Sequence, residues 1–299
     1  MPDSPFDALL PPDMAKRGET LGERKANMDL LSMLALGMLA GAFIAMGAVF
    51  STTVAAGVGA LPYGVGRLLV GLSFCLGLIL VIVAGAELFT GNTLIAMAWA
   101  SGRVSTRLLV RNWAIVYAGN FIGATATALL MAVSRQYTYG GGAVGQAALN
   151  VANAKSGLGF FQAVALGIFC NALVTVAVWL TWSGRSTTDK ILCIIFPITA
   201  FVAAGFEHSI ANMYYIPFGL LIKSDAGFLA KIGVAASDFG NLTVYGFLVR
   251  NLLPVTIGNI IGGSVMVGLV YWFIYLRPLR KQRQQEQARL QQRQPQAGA

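Results

Sequence analysis

Long apolar runs separated by short polar segments dominate this chain. The runs cover residues 30–56, 68–86, 112–134, 158–183, 191–222 and 251–276, and about 20 mostly apolar residues suffice to cross a bilayer as a helix. The pattern predicts an all-α protein with six membrane-spanning helices. Polar residues break into two of the spans. Residues 86–93 read Ala-Glu-Leu-Phe-Thr-Gly-Asn-Thr and residues 204–209 read Ala-Gly-Phe-Glu-His-Ser, where a continuous span would stay apolar. Lipid cannot satisfy freed backbone groups, so non-helical backbone survives at that depth only when protein buries it or it lines a cavity. The second and fifth helices are therefore predicted to be broken, with freed amides at half-helix ends that favour anions.

The two breaks belong to a repeat. Ala35-Leu36-Gly37 with Ala42 recurs as Ala165-Leu166-Gly167 with Ala172. Gly85, Glu87 and Asn92 recur as Gly205, Glu207 and Asn212. Leu109-Val110-Arg111-Asn112, Val116, Gly119-Asn120 and Ile122-Gly123 recur as Leu248-Val249-Arg250-Asn251, Val255, Gly258-Asn259 and Ile261-Gly262. The blocks keep their order at offsets of 130, 120 and 139 residues. Three spans per half is an odd number, so the second half enters the membrane from the opposite side. This is an inverted 3+3 repeat, and in such folds the site lies near the midplane, where discontinuous helices of the halves meet. The chain divides into an N-terminal segment 1–29, a membrane domain 30–276 with repeats 30–134 and 158–276, and a tail 277–299.

Composition agrees: 56% hydrophobic and 11% charged residues, and a mean hydropathy of +0.68, against about a quarter charged in soluble domains. The first run is too long for a signal peptide and follows 29 residues with six acids. With both termini in the cytoplasm, 15 of the 21 Lys and Arg residues fall inside and six outside (Arg67, Arg135, Lys155, Lys223, Lys231 and Arg250). The net charge of +9 is thus mostly a topology signal, and a basic tail without interleaved aromatics does not suggest nucleic-acid binding. Cys75, Cys170 and Cys193 read as small buried hydrophobes. Residues 15–29 are expected to form a surface helix, and 135–157 and 223–249 to be outer loops.

His208, the sole histidine, stands beside Glu207 in the second break, and an ionisable pair at membrane depth marks a substrate or ion path. Imidazole titrates near neutrality, so it can offer a proton to a weak-acid anion or hold a charge that attracts one. Glu87 and Glu207 occupy equivalent positions and are assigned a structural duty, accepting bonds from freed amides or from asparagines across the pseudo-axis. Asn92 and Asn212 read the same way. Asn171 in the fourth span either orients His208 or binds the ion. No catalytic triad, phosphate loop or metal cluster occurs, so neither an enzyme nor a cofactor or metal site is expected.

Gly85-Ala86-Glu87-Leu88-Phe89-Thr90-Gly91, Gly167 through Asn171, Gly205 through Pro217, Gly184-Arg185-Ser186 and Pro254 through Gly263 resemble the formate/nitrite transporter family, over about residues 30–276. One departure is Thr175, where the family commonly shows cysteine. The resemblance implies an aquaporin-like protomer assembled as a homopentamer in a bacterial inner membrane. Each protomer would hold a pore for formate or another small monovalent anion such as nitrite or hydrosulfide. It makes His208 the central pore residue, facing Thr90, and Lys155 an anion-drawing residue at the outer mouth. It assigns Phe74, Leu78, Leu88, Phe89, Val174 and Phe201 to apolar constrictions above and below His208. A non-transporting scaffold or sensor working through its tails is the rival from another class, and the N-terminal segment is a candidate docking site for a cytoplasmic partner.

Overall fold

The computed structural model describes residues 8–280, and all regular secondary structure among them is helical. Helix α1 (Pro11–Ala26) leads to α2 (Leu30–Ala55), which starts where the Asp29 carboxylate accepts the Ser32 amide. α3 (Tyr63–Ala84) begins directly after Pro62 and stops at Gly85, whose φ of 82° only glycine adopts without strain. After an extended stretch the chain resumes as α4 (Phe89–Asn92), a 3-10 turn, and α5 (Ala96–Ala100). α6 (Thr106–Val133) is capped by Ser105.

The second half opens with α7 (Ala143–Ser156) and α8 (Phe160–Ser183). α9 (Thr187–Ala203) starts in a Ser186/Asp189 capping box, and the chain breaks past Gly205 (φ 78°) before α10 (Ser209–Lys223). The short α11 (Ala226–Lys231) precedes a last long span whose centre is α12 (Leu253–Ile260), wound as π-helix on either side. Among the described residues, five helices are long and apolar enough to cross a membrane: Leu30–Ala55, Tyr63–Ala84, Thr106–Val133, Phe160–Ser183 and Gly246–Arg280. The fifth expected span is present as two pieces, α9 and α10.

The burial pattern is inverted relative to a water-soluble protein. Leu130, Val133, Phe161 and Phe196 project from the helix exteriors, while Asn112, Asn120, Asn171, Asn251, Asn259, Glu87, Glu207 and His208 are buried. That suits lipid outside and a polar path inside. With lipid around them, helices associate through small residues that let backbones approach. α2 and α6 pack side by side in the same direction, Gly37 against Val116 to Gly119 and Gly41 against Asn120 to Ala124. α8 and α12 repeat this, Gly167 against Val255 to Gly258. A Cβ on Gly119 would stand 3.0 Å from the Gly37 Cα, and one on Gly258 3.0 Å from the Gly167 Cα. Between the halves, Arg67 donates to the Val202 and Ala203 carbonyls, Gly71 meets Thr199, and the Cys75 thiol lies 3.4 Å from the Ile195 carbonyl. One set of numbers rises as the other falls, so α3 and α9 run antiparallel.

Several boundaries differ from expectation. α3 begins five residues before residue 68 because Pro62 fixes its first turn. α6 begins at Thr106 rather than 112, because the Ser105 hydroxyl caps it and Arg111 reaches the Met28 carbonyl. Half of the expected 135–157 loop is the helix α7, which packs against α10. α1 is more than a surface helix: Ala15 and Ala26 are fully buried, and the Gly18 backbone lies against the Trp182 ring. At the end away from α1, the Tyr137 hydroxyl donates to Asp225 at 2.6 Å, which holds that carboxyl below its usual range. The expected tail 277–299 lies outside the described residues beyond 280.

Replacing Gly119 or Gly258 by Val should force the paired helices apart and cost about 1–3 kcal/mol. Thermal unfolding of the detergent-solubilised protein should then show a midpoint lower by roughly 2–10 °C for either variant. Gly59→Ala, which meets nothing within 4 Å, should leave it unmoved.

Candidate functional site

Breaking a helix at membrane depth frees backbone groups, and the same device satisfies them in both halves. At the first break the Asn120 amide donates to the carbonyls of Gly37 (2.8 Å) and Glu87 (2.9 Å), while its oxygen accepts the Phe89 N–H (2.9 Å). At the second, Asn259 donates to Gly167 (2.8 Å) and Glu207 (2.9 Å) and accepts the Ser209 N–H (2.9 Å). The Glu87 and Glu207 amides donate to the Leu36 and Leu166 carbonyls, both at 3.2 Å.

The two glutamates are held alike. Lys25 Nζ meets Glu87 Oε1 at 2.7 Å, and Asn92 donates to Glu87 Oε2 (2.7 Å) and to Asn112 Oδ1 (3.0 Å). Lys155 Nζ meets Glu207 Oε1 at 2.8 Å, and Asn212 donates to Glu207 Oε2 and Asn251 Oδ1, both at 2.7 Å. Asn112 closes its ring on the Lys25 carbonyl (3.0 Å) and Asn251 on the Lys155 carbonyl (2.9 Å). The asparagine bonds come from within each half, not from across the pseudo-axis, because Asn92 and Asn212 follow their glutamates by five residues, after the turn that restarts the helix. Lys25, Asn112, Asn120, Asn251 and Asn259 are site residues that the sequence reading misses. The signal is there in the repeat: the offset of 130 that relates Gly37 to Gly167 also relates Lys25 to Lys155, and the asparagines sit inside the third repeated block.

The halves part company at the residue that starts each restarted helix. Leu88 stands there in the first half and caps nothing; His208 stands there in the second, and its Nδ1 accepts the Ala211 N–H at 3.1 Å. A ring nitrogen facing an amide proton cannot carry one, so the neutral ring holds its proton on Nε2. That N–H donates to Thr90 Oγ1 at 3.1 Å, which leaves the Thr90 hydroxyl proton free to point elsewhere.

Two cavities approach this point from opposite ends. One, of about 270 Å³, is lined by His208, Phe74, Phe201, Glu207, Lys155 and Arg67. The other, of about 420 Å³, lies under α1 and is lined by Leu78, Leu88, Glu87 and Lys25 among others. Phe74 and Leu78, one turn apart, thus face different cavities. Phe201 packs edge-on to Phe74 with centroids 5.7 Å apart and stacks on the His208 ring at 5.9 Å. His208 therefore shares the smaller cavity with both phenylalanines, with Leu78 and Leu88 on the far side. Thr90, Asn171, Val174 and Phe89 line neither cavity. Phe89 turns its ring to Trp113 and Tyr117. Asn171 does not touch His208; it donates to the Thr90 carbonyl (3.2 Å), Thr93 Oγ1 (3.1 Å) and the Asn259 carbonyl (2.6 Å), and its buried oxygen has no partner among the described residues. Thr175 bonds back to the Asn171 carbonyl at 2.6 Å.

The formate/nitrite transporter family model matches residues 12–273. The chain is 47% identical to the formate channel FocA of Escherichia coli (strain K12), over 92% of this chain and 97% of that protein. It is 41% identical to the formate channel FocA of Haemophilus influenzae, over 88% and 93%. Among solved structures it is similar to a pentameric formate channel with formate bound, with a TM-score of 0.79, 46% identity, and coverage of 83% of this chain and 98% of that one. It is also similar to an ion channel of the same family, with a TM-score of 0.71, 30% identity, and coverage of 88% and 98%. A membrane domain that places a histidine and a threonine between two cavities, with those relatives, is a transporter and not an enzyme, and the chain belongs to the formate/nitrite transporter family.

Proposed function

We propose that this protein is a channel for formate and similarly small monovalent weak-acid anions, an inverted 3+3 repeat working as a homopentamer in a bacterial inner membrane with both termini cytoplasmic. The observation that carries the reading is the His208–Thr90 pair at the end of a cavity whose lysine, Lys155, is paired with Glu207. The antiparallel α3 and α9 support the inversion, the fifteen-to-six bias of basic residues supports the sidedness, and the formate-bound pentamer, 46% identical, supports substrate and assembly.

In this reading formate arrives in the cavity beside Lys155 and sheds water against Phe74 and Phe201. Burying its charge is costly unless donors replace the water, and the Thr90 hydroxyl and His208 Nε2–H are the donors at hand. Leu78, Leu88 and the aromatic pair form an apolar wall that a hydrated ion crosses poorly. Asn171 holds the Thr90 carbonyl in place, and the Lys–Glu–Asn rings keep the inner end of each cavity electrically balanced. Proton exchange with the anion requires a second proton on the ring. Nδ1 gains one only if its bond to the Ala211 amide opens, so the helix cap restrains His208 as a proton donor while leaving it a hydrogen-bond donor throughout.

Flux assays in proteoliposomes should rank formate at or above nitrite and hydrosulfide; a clear preference for either rival would reassign the substrate within the family. His208→Asn keeps a good helix cap but has no ring proton to exchange, so it should fold normally and lose whatever pH dependence of formate flux the wild type shows in the same assay. His208→Phe should lose the cap as well, at about 1 kcal/mol. Thr90→Val removes one donor to a charged group, worth about 1.5–3 kcal/mol, and should lower formate flux by about tenfold or more in the same assay.

A further inference from the structure

The repeat gives both cavities the same Lys–Glu–Asn ring, yet the two differ in charge. In the smaller one, Arg67 is committed to the Val202 and Ala203 carbonyls and Lys155 to Glu207. The 420 Å³ cavity under α1 is lined by Arg17, Arg24, Lys25 and Lys190 against the single acid Glu87, which Lys25 already pairs. The Arg24 and Lys190 side chains make no hydrogen bond or ion pair with any described residue, and Arg17 spends one nitrogen on the Trp182 carbonyl at 3.1 Å. Among the described residues, no neighbouring acid forms an ion pair with Arg17, Arg24 or Lys190, and each has other partners. Asp13 pairs with Lys16, Glu19 and Glu23 pair with Arg103, Asp29 accepts the Ser32 amide, and Asp189 accepts the Arg185 and Ser186 amides. Three cations at the rim of a concave, partly apolar cavity, Arg17 and Arg24 exposed and Lys190 half-buried, raise the local anion concentration, and the volume lies in the range of about 300–1,000 Å³ of small-molecule sites.

A monovalent anion in transit has no use for three cations without an acid partner around one cavity; the opposite cavity has one, Arg67, whose donors are spent on carbonyls. We propose that the cavity under α1 is a binding site for a polyvalent anion bearing carboxylate or phosphate groups, which shuts the pore from that side. Its charged groups meet Arg17, Arg24 and Lys190, and its body rests on Trp182 and Leu21, which also line the cavity. It cannot continue inward, because Leu78 and Leu88 close the way and the cost of burying charge rises with each added unit. Binding and blockage are then one event. The blockage rests on the transport reading; the binding does not.

The test uses the full-length protein and the double variant Arg24→Gln/Lys190→Gln, which leaves the His208–Thr90 pair and both Lys–Glu rings intact. Calorimetry on the solubilised wild type is run with citrate, pyrophosphate and ATP as probes, with sodium chloride at matched ionic strength as control. Saturable binding of at least one probe, weakened tenfold or more in the double variant, is the expected result, and the probe that binds separates carboxylate from phosphate recognition. In proteoliposomes that probe should cut formate flux by half or more when present on the α1 face only, and the double variant should resist it with its basal flux unchanged. Absence of saturable binding, or binding equal in the two proteins, overturns the site, and binding without loss of flux overturns the closure. Calorimetry involves no formate, so its outcome is separate from that of the transport reading.

Discussion

A backbone that leaves the helix inside a membrane must find new partners for its amides and carbonyls, and everything at the centre of this protein follows from that requirement. Asn120 and Asn259 meet it, each with three hydrogen bonds of 2.8–2.9 Å to the chain on both sides of a break. Both stand on helices that pack against their neighbours through glycine, so the asparagine side chain reaches the break only because Gly37 and Gly167 let the backbones touch. The small residues and the buried asparagines are parts of one solution: close approach brings the polar group within reach, and that group makes the break tolerable.

The breaks in turn create the pore's chemistry. A restarted helix needs a residue at its head, and that residue points where the two halves meet. In one half it is Leu88 and in the other His208, so duplication supplies a matched frame while divergence at a single position supplies an apolar wall on one side and a hydrogen-bond donor on the other. The Glu87–Lys25 and Glu207–Lys155 pairs belong to the frame, since each glutamate is fixed by its lysine and by an asparagine of the restarted helix. A lysine neutralised in this way contributes little field of its own. For this reason Arg17, Arg24 and Lys190, none of them paired with an acid and all on one side, set the electrical difference between the two cavities.

Much of this is legible along the chain. Apolar run length announces the spans, glycine with polar residues inside an apolar run announces the breaks, and a lone histidine beside a glutamate announces the centre, because each is a local departure from what lipid tolerates. Lys25 is not legible as part of the frame. A lysine in a charged N-terminal segment looks like a solvated topology signal until α1 is seen folded beneath the breaks. Asn171 looks like a partner for His208 but meets Thr90 and Asn259, since helix rotation, which periodicity fixes only to within a face, decides which neighbour it meets. The family resemblance makes Phe89 a constriction residue, yet its ring turns toward Trp113 and Tyr117. α7 lies hidden in a glycine-containing stretch of mixed polarity.

The sequence by itself determined that this is a helical membrane protein with two related halves, broken helices and an imidazole at membrane depth, because solvation by lipid acts on each segment separately and leaves its mark residue by residue. Only the tertiary structure decided which cations are neutralised and which remain open, which nitrogen of His208 carries the proton, and which apolar residues face which cavity. Those outcomes depend on distances of about 3 Å between side chains 60 to 120 positions apart, and no local preference along the chain encodes such distances.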